Sequence, residues 1–414
     1  MSKLNDLIKE LCPDGVEYKT IEEVFEIRNG YTPSKNKPEY WENGTIPWFR
    51  MEDIRKNGRI LSDSIQHITP SAIKGKGLFH ANSIIIATTA TIGEHALIIA
   101  DSLANQQFTN LKVRKSLSDR LLSKFIFYYM FVIDKWCKDN VNASSFASVD
   151  MKRFRKVEFP LPPLPIQEEI VRILDNFSEL EAELEAELDC RKRQYEYYRD
   201  KLLSFEDGLN GQKVEMAEMG DYFQFKNGIN KGKEYFGIGN YIVNFTDVYN
   251  NRWLVKDKLK GRVQTTPKDI AAYNARKGDV FFTRTSETRE DIGMASALVE
   301  DIENCVFSGF VLRARPLEDI WLPKFCSYYF STSHIRKQIV RHASFTTRAL
   351  TSGPRLSKLM LPLISKEDQQ RIVSILDRFE SLTTDLQKGL PAEIAARRQQ
   401  YEYYRDKLLT FKKK

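Results

Sequence analysis

From Ile170 onward the apolar and aromatic positions fall at Ile173, Phe177, Leu180, Leu184, Leu188, Tyr195, Tyr198, Leu202 and Phe205, in steps of three, four or seven. A stripe with that period runs along one side of a helix and needs a second apolar surface to cover it. The pattern therefore predicts a coiled-coil helix from Ile170 to Phe205, roughly 54 Å long. Consecutive steps of four at 180, 184 and 188 form a stutter, which relaxes the supercoil without ending the helix. Glu179 to Asp189, followed by Arg191-Lys192-Arg193, reads as the solvated face, paired at i,i+4. A second stripe runs through Ile372, Ile375, Phe379, Leu382 and Leu386, then Ile394, Tyr401, Tyr404, Leu408 and Phe411. It is interrupted at Lys388-Gly389-Leu390-Pro391. Glycine suits the position after a helix and proline the first residue of the next, so this copy predicts two helices with a break.

The stripes are copies of one another. Tyr195-Glu196-Tyr197-Tyr198-Arg199-Asp200-Lys201-Leu202-Leu203 returns unchanged from Tyr401 to Leu409. Upstream, Gln167, Ile170, Val171, Ile173, Leu174, Asp175 and Phe177 recur as Gln369, Ile372, Val373, Ile375, Leu376, Asp377 and Phe379. The second copy carries four extra residues between its blocks, about one helical turn, most easily placed at the break. Two such seams in one chain can bury each other as an antiparallel pair and set the intervening domains a fixed distance apart.

Those intervening segments switch to a mixed pattern. Phe25 to Gly30 and Phe223 to Gly228 each read as a strand running into a turn and a basic loop. Asn82 to Thr89 and Gly278 to Thr285 read as buried strands entering polar loops, with Gly93 and Gly293 close behind. Ile126 to Trp136 and Phe325 to Phe330 are aromatic-rich and predicted helical. Pro162-Pro163 is a stiff connector. The chain thus divides into an α/β domain over 1–160, a helical spacer over 161–207, a second α/β domain over 208–362 and a second spacer over 363–414. This is an α/β (α+β) tandem with a pseudo-twofold internal repeat, its domains separated by long antiparallel coiled-coil helices.

Charge adds a modest clue. The net charge is +7, and residues 1–165 carry 23 basic against 19 acidic side chains, residues 206–365 carry 23 against 18, and residues 166–205 only 6 against 11. Basic domains joined by an acidic helix suit a nucleic-acid partner, although many proteins without one share this balance. Five scattered cysteines without a C-x-x-C pair argue against a disulfide framework and a structural zinc site. No apolar leader or membrane-length run is visible, so the expected location is cytoplasmic, away from membranes. Catalytic signatures are missing as well. Gly228 to Glu234 falls one residue short of a phosphate loop, and Pro13-Asp14 with Glu17-Tyr18-Lys19 is too compressed for a nuclease motif. There is no N/D-P-P-Y/F tetrapeptide, and the five histidines show neither zinc spacing nor a nucleophile partner.

Taken together, ILDNF and ILDRF, the repeated YEYYRDKLL and the two dissimilar domains resemble the specificity subunit of type I restriction-modification systems, over essentially the whole chain. FEIRNGYTPS and GDVFFTRTS carry the resemblance inside the domains. It implies that each α/β domain is a target recognition domain reading one half of a split, asymmetric site on double-stranded DNA. It implies that the helices act as a ruler and dock two modification (methyltransferase) subunits, which hold S-adenosylmethionine and methylate adenine, and through them restriction/translocase subunits. The chain itself is then non-catalytic and holds no cofactor or metal. The interruption at Gly389 to Pro391 departs from strict repetition and bears on whether both copies contribute equal ruler length. A reading from another class is a coiled-coil adaptor whose domains bind proteins; a self-sufficient restriction enzyme is disfavoured by the missing motifs.

A DNA reader needs phosphate anchors and base-edge donors and acceptors. In the first domain the candidates are Arg28, Tyr31, Lys35 and Lys37; Arg50, Arg55 and Arg59; Lys74 and Lys76; and Gln106 and Gln107. In the second they are Lys226, Lys231 and Lys233; Arg284, Thr285 and Arg289; and Arg341, Arg348 and Arg355. Any one of these also reads as solvated surface, so the expectation concerns the clusters. On the helices, Tyr195, Tyr198, Leu202, Tyr401, Tyr404 and Leu408 lie on the seam, whereas Tyr197, Arg199, Tyr403 and Arg405 lie off it. An aromatic and an arginine exposed together suit a partner-binding surface.

Overall fold

The computed structural model describes residues 2–142, 147–384 and 389–414. They form two units: residues 1–184 with 394–414, and residues 185–393.

In the first unit the strand Ser83–Ala87 is buried along its whole length, because both of its faces are covered. Ile84 and Ile86 point into one core, which contains the aromatic helix Ser123–Asp139, while Ile85 and Ala87 point into another with Phe49 and Phe79. A continuous apolar run is what such a two-sided strand requires. The sheet order is Phe25–Asn29, Phe108–Val113, Ser83–Ala87, His95–Ile98 and Ile60–Leu61, antiparallel except for the last pairing. A three-stranded sheet places Ile46–Phe49 between His67–Ile68 and Leu103–Ala104.

The second unit repeats this topology. Its five-stranded order is Phe223–Asn227, Val311–Pro316, Val280–Thr283, Ala295–Leu298 and Trp253–Leu254, again with only the last pairing parallel. The equivalent three-stranded sheet centres on Phe236–Val243, and a further one pairs Ala349–Leu350 with Thr285–Ser286 and Ser344–Phe345. Val280 and Phe282 face one core and Phe281 the other. The predicted glycines after the central strands also correspond. Gly93 and Gly293 have φ of +74° and +63°, and a Cβ would lie 2.5 Å from the Asp134 carbonyl oxygen or the Ile339 side chain.

The spacer helix spans Leu164–Ser204 without a break and belongs to both units. It ends one residue before the predicted Phe205, which instead takes a left-handed φ of 55°. The second copy is the helices Lys366–Thr384 and Leu390–Leu408. Pro391 is the second helical residue, not the first, and the Gly389 carbonyl accepts from the amides of Ala392 and Glu393. Leu386 and Lys388 lie outside the described residues. Within each unit the copies pack antiparallel. In the first, Phe177 stacks on Tyr404 at 5.6 Å and Arg398 bonds Glu181; in the second, Tyr198 stacks on Phe379 at 6.1 Å while Asn210 reaches Asp368.

The most deeply buried helical positions follow the predicted seam only in part: Ile170, Tyr195, Ile372 and Leu408 lie on it, but Ile166, Leu174, Arg199 and Leu203 do not. Ile166, Ile170 and Leu174 enter the first unit's core, and Tyr195, Arg199 and Leu203 are buried in the second unit, each set in steps of four. On the seam, Leu180 and Tyr198 remain 48% and 42% exposed. The helix spends its best apolar stripe on the globular domains, because a sheet-backed core covers more of a side chain than one neighbouring helix does.

Candidate nucleic-acid interface

In the first unit the strand Phe25–Asn29 carries Arg28 to the edge of a cleft of about 400 Å³ lined by Ile27, Arg28, Asn29, Tyr31, Lys74 to Lys76 and Arg155. Among the described residues, four cations and no carboxylate line it. Arg28 is a strut: its guanidinium donates to the carbonyls of Gly77 (2.8 Å) and Leu78 (3.0 Å) and lies over the Phe79 ring. Those bonds fix the turn in which Gly77, at φ +68°, donates to the Lys74 carbonyl. Tyr31 secures the other side, accepting from the Lys74 amide at 2.8 Å and donating to the Ala72 carbonyl at 3.1 Å. The ammonium of Lys74 sits 5.1 Å over the Tyr31 ring, and Lys74, Lys76 and Arg155 are exposed. A basic cleft of this kind has the chemistry to suit an anionic oxygen cluster such as a phosphodiester. The sequence reading did not single out Arg155; its signal was the basic run Lys152 to Lys156.

The other first-domain candidates sort by what they touch. Lys35 and Arg55 are exposed, and Lys37 lies over Tyr40 with Glu39 at 4.0 Å. Arg50 bonds Glu52 at 3.1 Å and lies over Trp48, whose indole donates to the Tyr31 carbonyl. Gln106 accepts from Thr32, and Gln107 is tied to Asn105. Arg59 faces inward: it donates to the His95 carbonyl and lies 5.3 Å over Phe131. Sequence spacing grouped Arg59 with Arg50, yet Gly58, at φ +80°, turns the chain between them.

In the second unit a cleft of about 320 Å³ gathers Arg289 and Arg341 over an apolar floor of Ile292, Val340, Ala343 and Ala349. Arg289 lies 4.6 Å over the half-exposed Phe345 ring, on a hairpin (Ser344–Phe345 with Ala349–Leu350) that also carries exposed Arg348. Thr285 pairs with Leu350 on the hairpin's edge. Lys226 lies over Tyr273 and Lys233 is exposed. Lys231 is committed internally, bonded to Asp269 (2.7 Å) and the Gln264 carbonyl (2.9 Å), and it holds the Asp269 carboxyl down to about 2. Arg284 and Arg355 likewise donate to the carbonyls of Gly309 and His342.

On the repeated helices Tyr197 and Tyr403 are 61% and 63% exposed, each edge-on to the next tyrosine at 5.3 Å. Their arginines are not exposed with them, contrary to the sequence expectation. Arg199 is buried, chelates Asp200 through two nitrogens and lies over Tyr195; Arg405 does the same with Asp406 and Tyr401. Position 199 falls one turn from 195 and 203, on the stripe that meets the domain.

The sequence showed that Gln167 and Asp175 recur as Gln369 and Asp377, but not what they hold. Gln167, fully buried, accepts from the Leu122 amide and donates to the carbonyls of Arg120 and Pro162; Gln369 accepts from Leu322 and donates to Ile320 and Ile364. Asp175 receives the Tyr128 hydroxyl (2.6 Å) and the Lys124 ammonium (2.6 Å); Asp377 receives Tyr328 (2.6 Å) and Lys324 (2.8 Å). Burial, reinforced by the carboxylate, pushes both tyrosine hydroxyls above their ordinary value, so they remain donors. The available signal was K-F-x-x-Y-Y at 124 and again at 324. Among the described residues no helix is long and apolar enough to cross a membrane, and no three metal-ligating side chains gather.

Comparison with known proteins agrees with this architecture. The family model for the type I restriction modification DNA specificity domain matches twice, over residues 13–189 and 212–396. The chain is 52% identical over 231 residues to the type I restriction enzyme EcoprrI specificity subunit of Escherichia coli, covering 53% of this chain and 58% of that one. That alignment spans little more than half of the relative's length. It is 30% identical over 328 residues to the EcoR124I/EcoR124II specificity subunit of Escherichia coli, covering 71% and 72%. Among solved structures it shares its fold with a chain from a study of type I R-M system assembly (TM-score 0.64, 16% identity, covering 96% and 98%). It also shares it with the HsdS subunit from Thermoanaerobacter tengcongensis (TM-score 0.52, 15% identity, covering 97% and 99%).

Proposed function

The chain belongs to the type I restriction-modification DNA specificity family, and we propose that it is the sequence-reading subunit of such a complex, with one recognition domain for each half of a bipartite, asymmetric DNA target. The observation that carries this reading is a shared topology with differently placed basic clefts. The first unit gathers cations beside its edge strand and the second beside its hairpin. Two readers on one scaffold, each with its own contact chemistry, suit two unlike half-sites.

The repeated helices dock two modification subunits, with Tyr197 and Tyr403 as equivalent exposed anchors. S-adenosylmethionine binds in those subunits, and restriction subunits join through them. This chain contributes recognition and spacing, performs no chemistry, and works in the cytoplasm. The experiment is to assemble the complex with the cognate modification subunit and exchange residues 1–160 for the corresponding domain of a relative with a different target. The expected result is a methylated motif changed in one half only; a change in both halves, or in neither, contradicts the reading.

A further inference from the structure

Outside the helical repeats the two halves have little sequence in common, yet the bonds joining each α/β domain to its own stretch of helix are the same. Gln167 and Gln369 each hold the start of the aromatic helix through one amide and one carbonyl, and donate to a second carbonyl, of Pro162 or Ile364, in the connector ahead of their own helix. Eight residues along, Asp175 and Asp377 each take a tyrosine hydroxyl and a lysine from the same helix. The buried apolar residues around these points recur only in part: Ile170 and Leu174 return as Ile372 and Leu376 and Phe125 and Tyr129 as Phe325 and Tyr329, whereas Ile126 and Met130 stand where the second domain has Cys326 and Phe330.

We propose that this clamp is a positioning device: Tyr128, Tyr328 and their partners fix the angle at which each domain is presented, and thereby the spacing between half-sites, without taking part in reading either half. The proposal rests on the specificity reading above. Adhesion alone does not require it. Any apolar patch would hold a domain on a helix, and such contact alone leaves the domain free to slide and tilt. Directional bonds at two separated points do what apolar contact cannot, because a planar amide and a hydroxyl–carboxylate pair tolerate little rotation. The two points are roughly 12 Å apart along the helix axis. A domain of this size has a radius of gyration of roughly 15 Å, so its reading face stands about 20 Å from the helix. A tilt of about 10° would then move that face by about 3.5 Å, close to the roughly 3.4 Å rise of one base pair. Loosening the clamp is therefore enough to admit a neighbouring spacer length.

The test uses the full chain coexpressed with its modification subunit, with genomic adenine methylation as the readout. Tyr128→Phe, Tyr328→Phe and the double variant are compared with wild type. A second set, Lys124→Met and Lys324→Met, removes partly exposed groups and leaves the hydroxyl–carboxylate bond in place. A core variant remote from the clamp, Ile85→Val, controls for lost stability. The expected result is unchanged half-sites, with spacers one base pair shorter and longer rising to a tenth or more of methylated sites in the double variant. The lysine pair should shift the distribution in the same direction, and Ile85→Val should keep a single spacer. A single spacer in every clamp variant, or the same broadening in Ile85→Val, would overturn the positioning role. A wild-type chain that directs no split motif would instead overturn the specificity reading on which the proposal stands.

Discussion

Replacing Gln167 or Gln369 with leucine keeps the volume nearly constant and deletes only the amide. Each amide makes three hydrogen bonds to backbone groups, at 2.7–2.9 Å in the first unit and 2.7–3.1 Å in the second. Both side chains are fully buried, so water does not replace the lost partner. At about 1 kcal/mol net per neutral bond, and somewhat more for groups left unpaired, each variant should lose roughly 2–4 kcal/mol. With a urea dependence of about 2–3 kcal/mol per molar, the midpoint of the affected unit should fall by about 1 M. Hydrogen exchange identifies the unit: amides around Leu122 should exchange on the order of 100-fold faster in Gln167→Leu, and those around Leu322 in Gln369→Leu. A midpoint change under about 0.3 M in both variants would refute the reasoning, since it would mean that the amides hold nothing that leucine packing cannot.

Removing Lys74 and Lys76 together should lower DNA affinity for all sequences and make the plot of log affinity against log salt shallower by about 2, read by fluorescence anisotropy across a salt series; an unchanged slope would take both out of the phosphate contacts. Tyr197→Ala and Tyr403→Ala should leave thermal stability within about 0.5 kcal/mol, because both rings are exposed. Each should weaken docking of a modification subunit by roughly 30-fold, measured by calorimetry. The buried tyrosines make stability pH-dependent on the alkaline side. Tyr195 is pushed up to about 12 by burial, and Tyr128 and Tyr328 are raised as well. Their folded values lie above the unfolded one, so the stabilisation is complete below about pH 10 and is lost as pH rises beyond it. Thermal midpoints should hold to about pH 9.5 and then fall, with a smaller fall in Tyr128→Phe and Tyr328→Phe.

Period and repetition carried much of the architecture. The strands Phe25–Asn29, Ser83–Ala87, Phe223–Asn227 and Val280–Thr283 and the aromatic helices stand where the pattern placed them; two-sided burial leaves an unbroken apolar run in Ser83–Ala87 and Val280–Thr283, and the half-exposed edge strands Phe25–Asn29 and Phe223–Asn227 mix polar with apolar residues. What the pattern could not give was the partner of each stripe. Ile173, Phe177 and Leu180 look as apolar as Ile166, Ile170 and Leu174, and only tertiary packing decides that the second set is the buried one. The basic residues posed the same difficulty. Arg28, Arg59, Arg284 and Arg355 donate to backbone carbonyls of their own chain, whereas Lys74, Lys76 and Arg348 remain exposed. A loop arginine has the same letter whether it holds the loop or reaches beyond it. The recurrence of Gln167 and Asp175 was legible, but their pairing with the aromatic helix was not, because the partners lie about 50 residues apart in sequence.

The most direct measurement is a map of adenine methylation in genomic DNA from cells expressing the cognate modification subunit with and without this chain. The account predicts one split, asymmetric motif with a fixed spacer that disappears when the chain is withheld. Methylation that does not depend on the chain, with the modification subunit active and bound to it, would contradict the account.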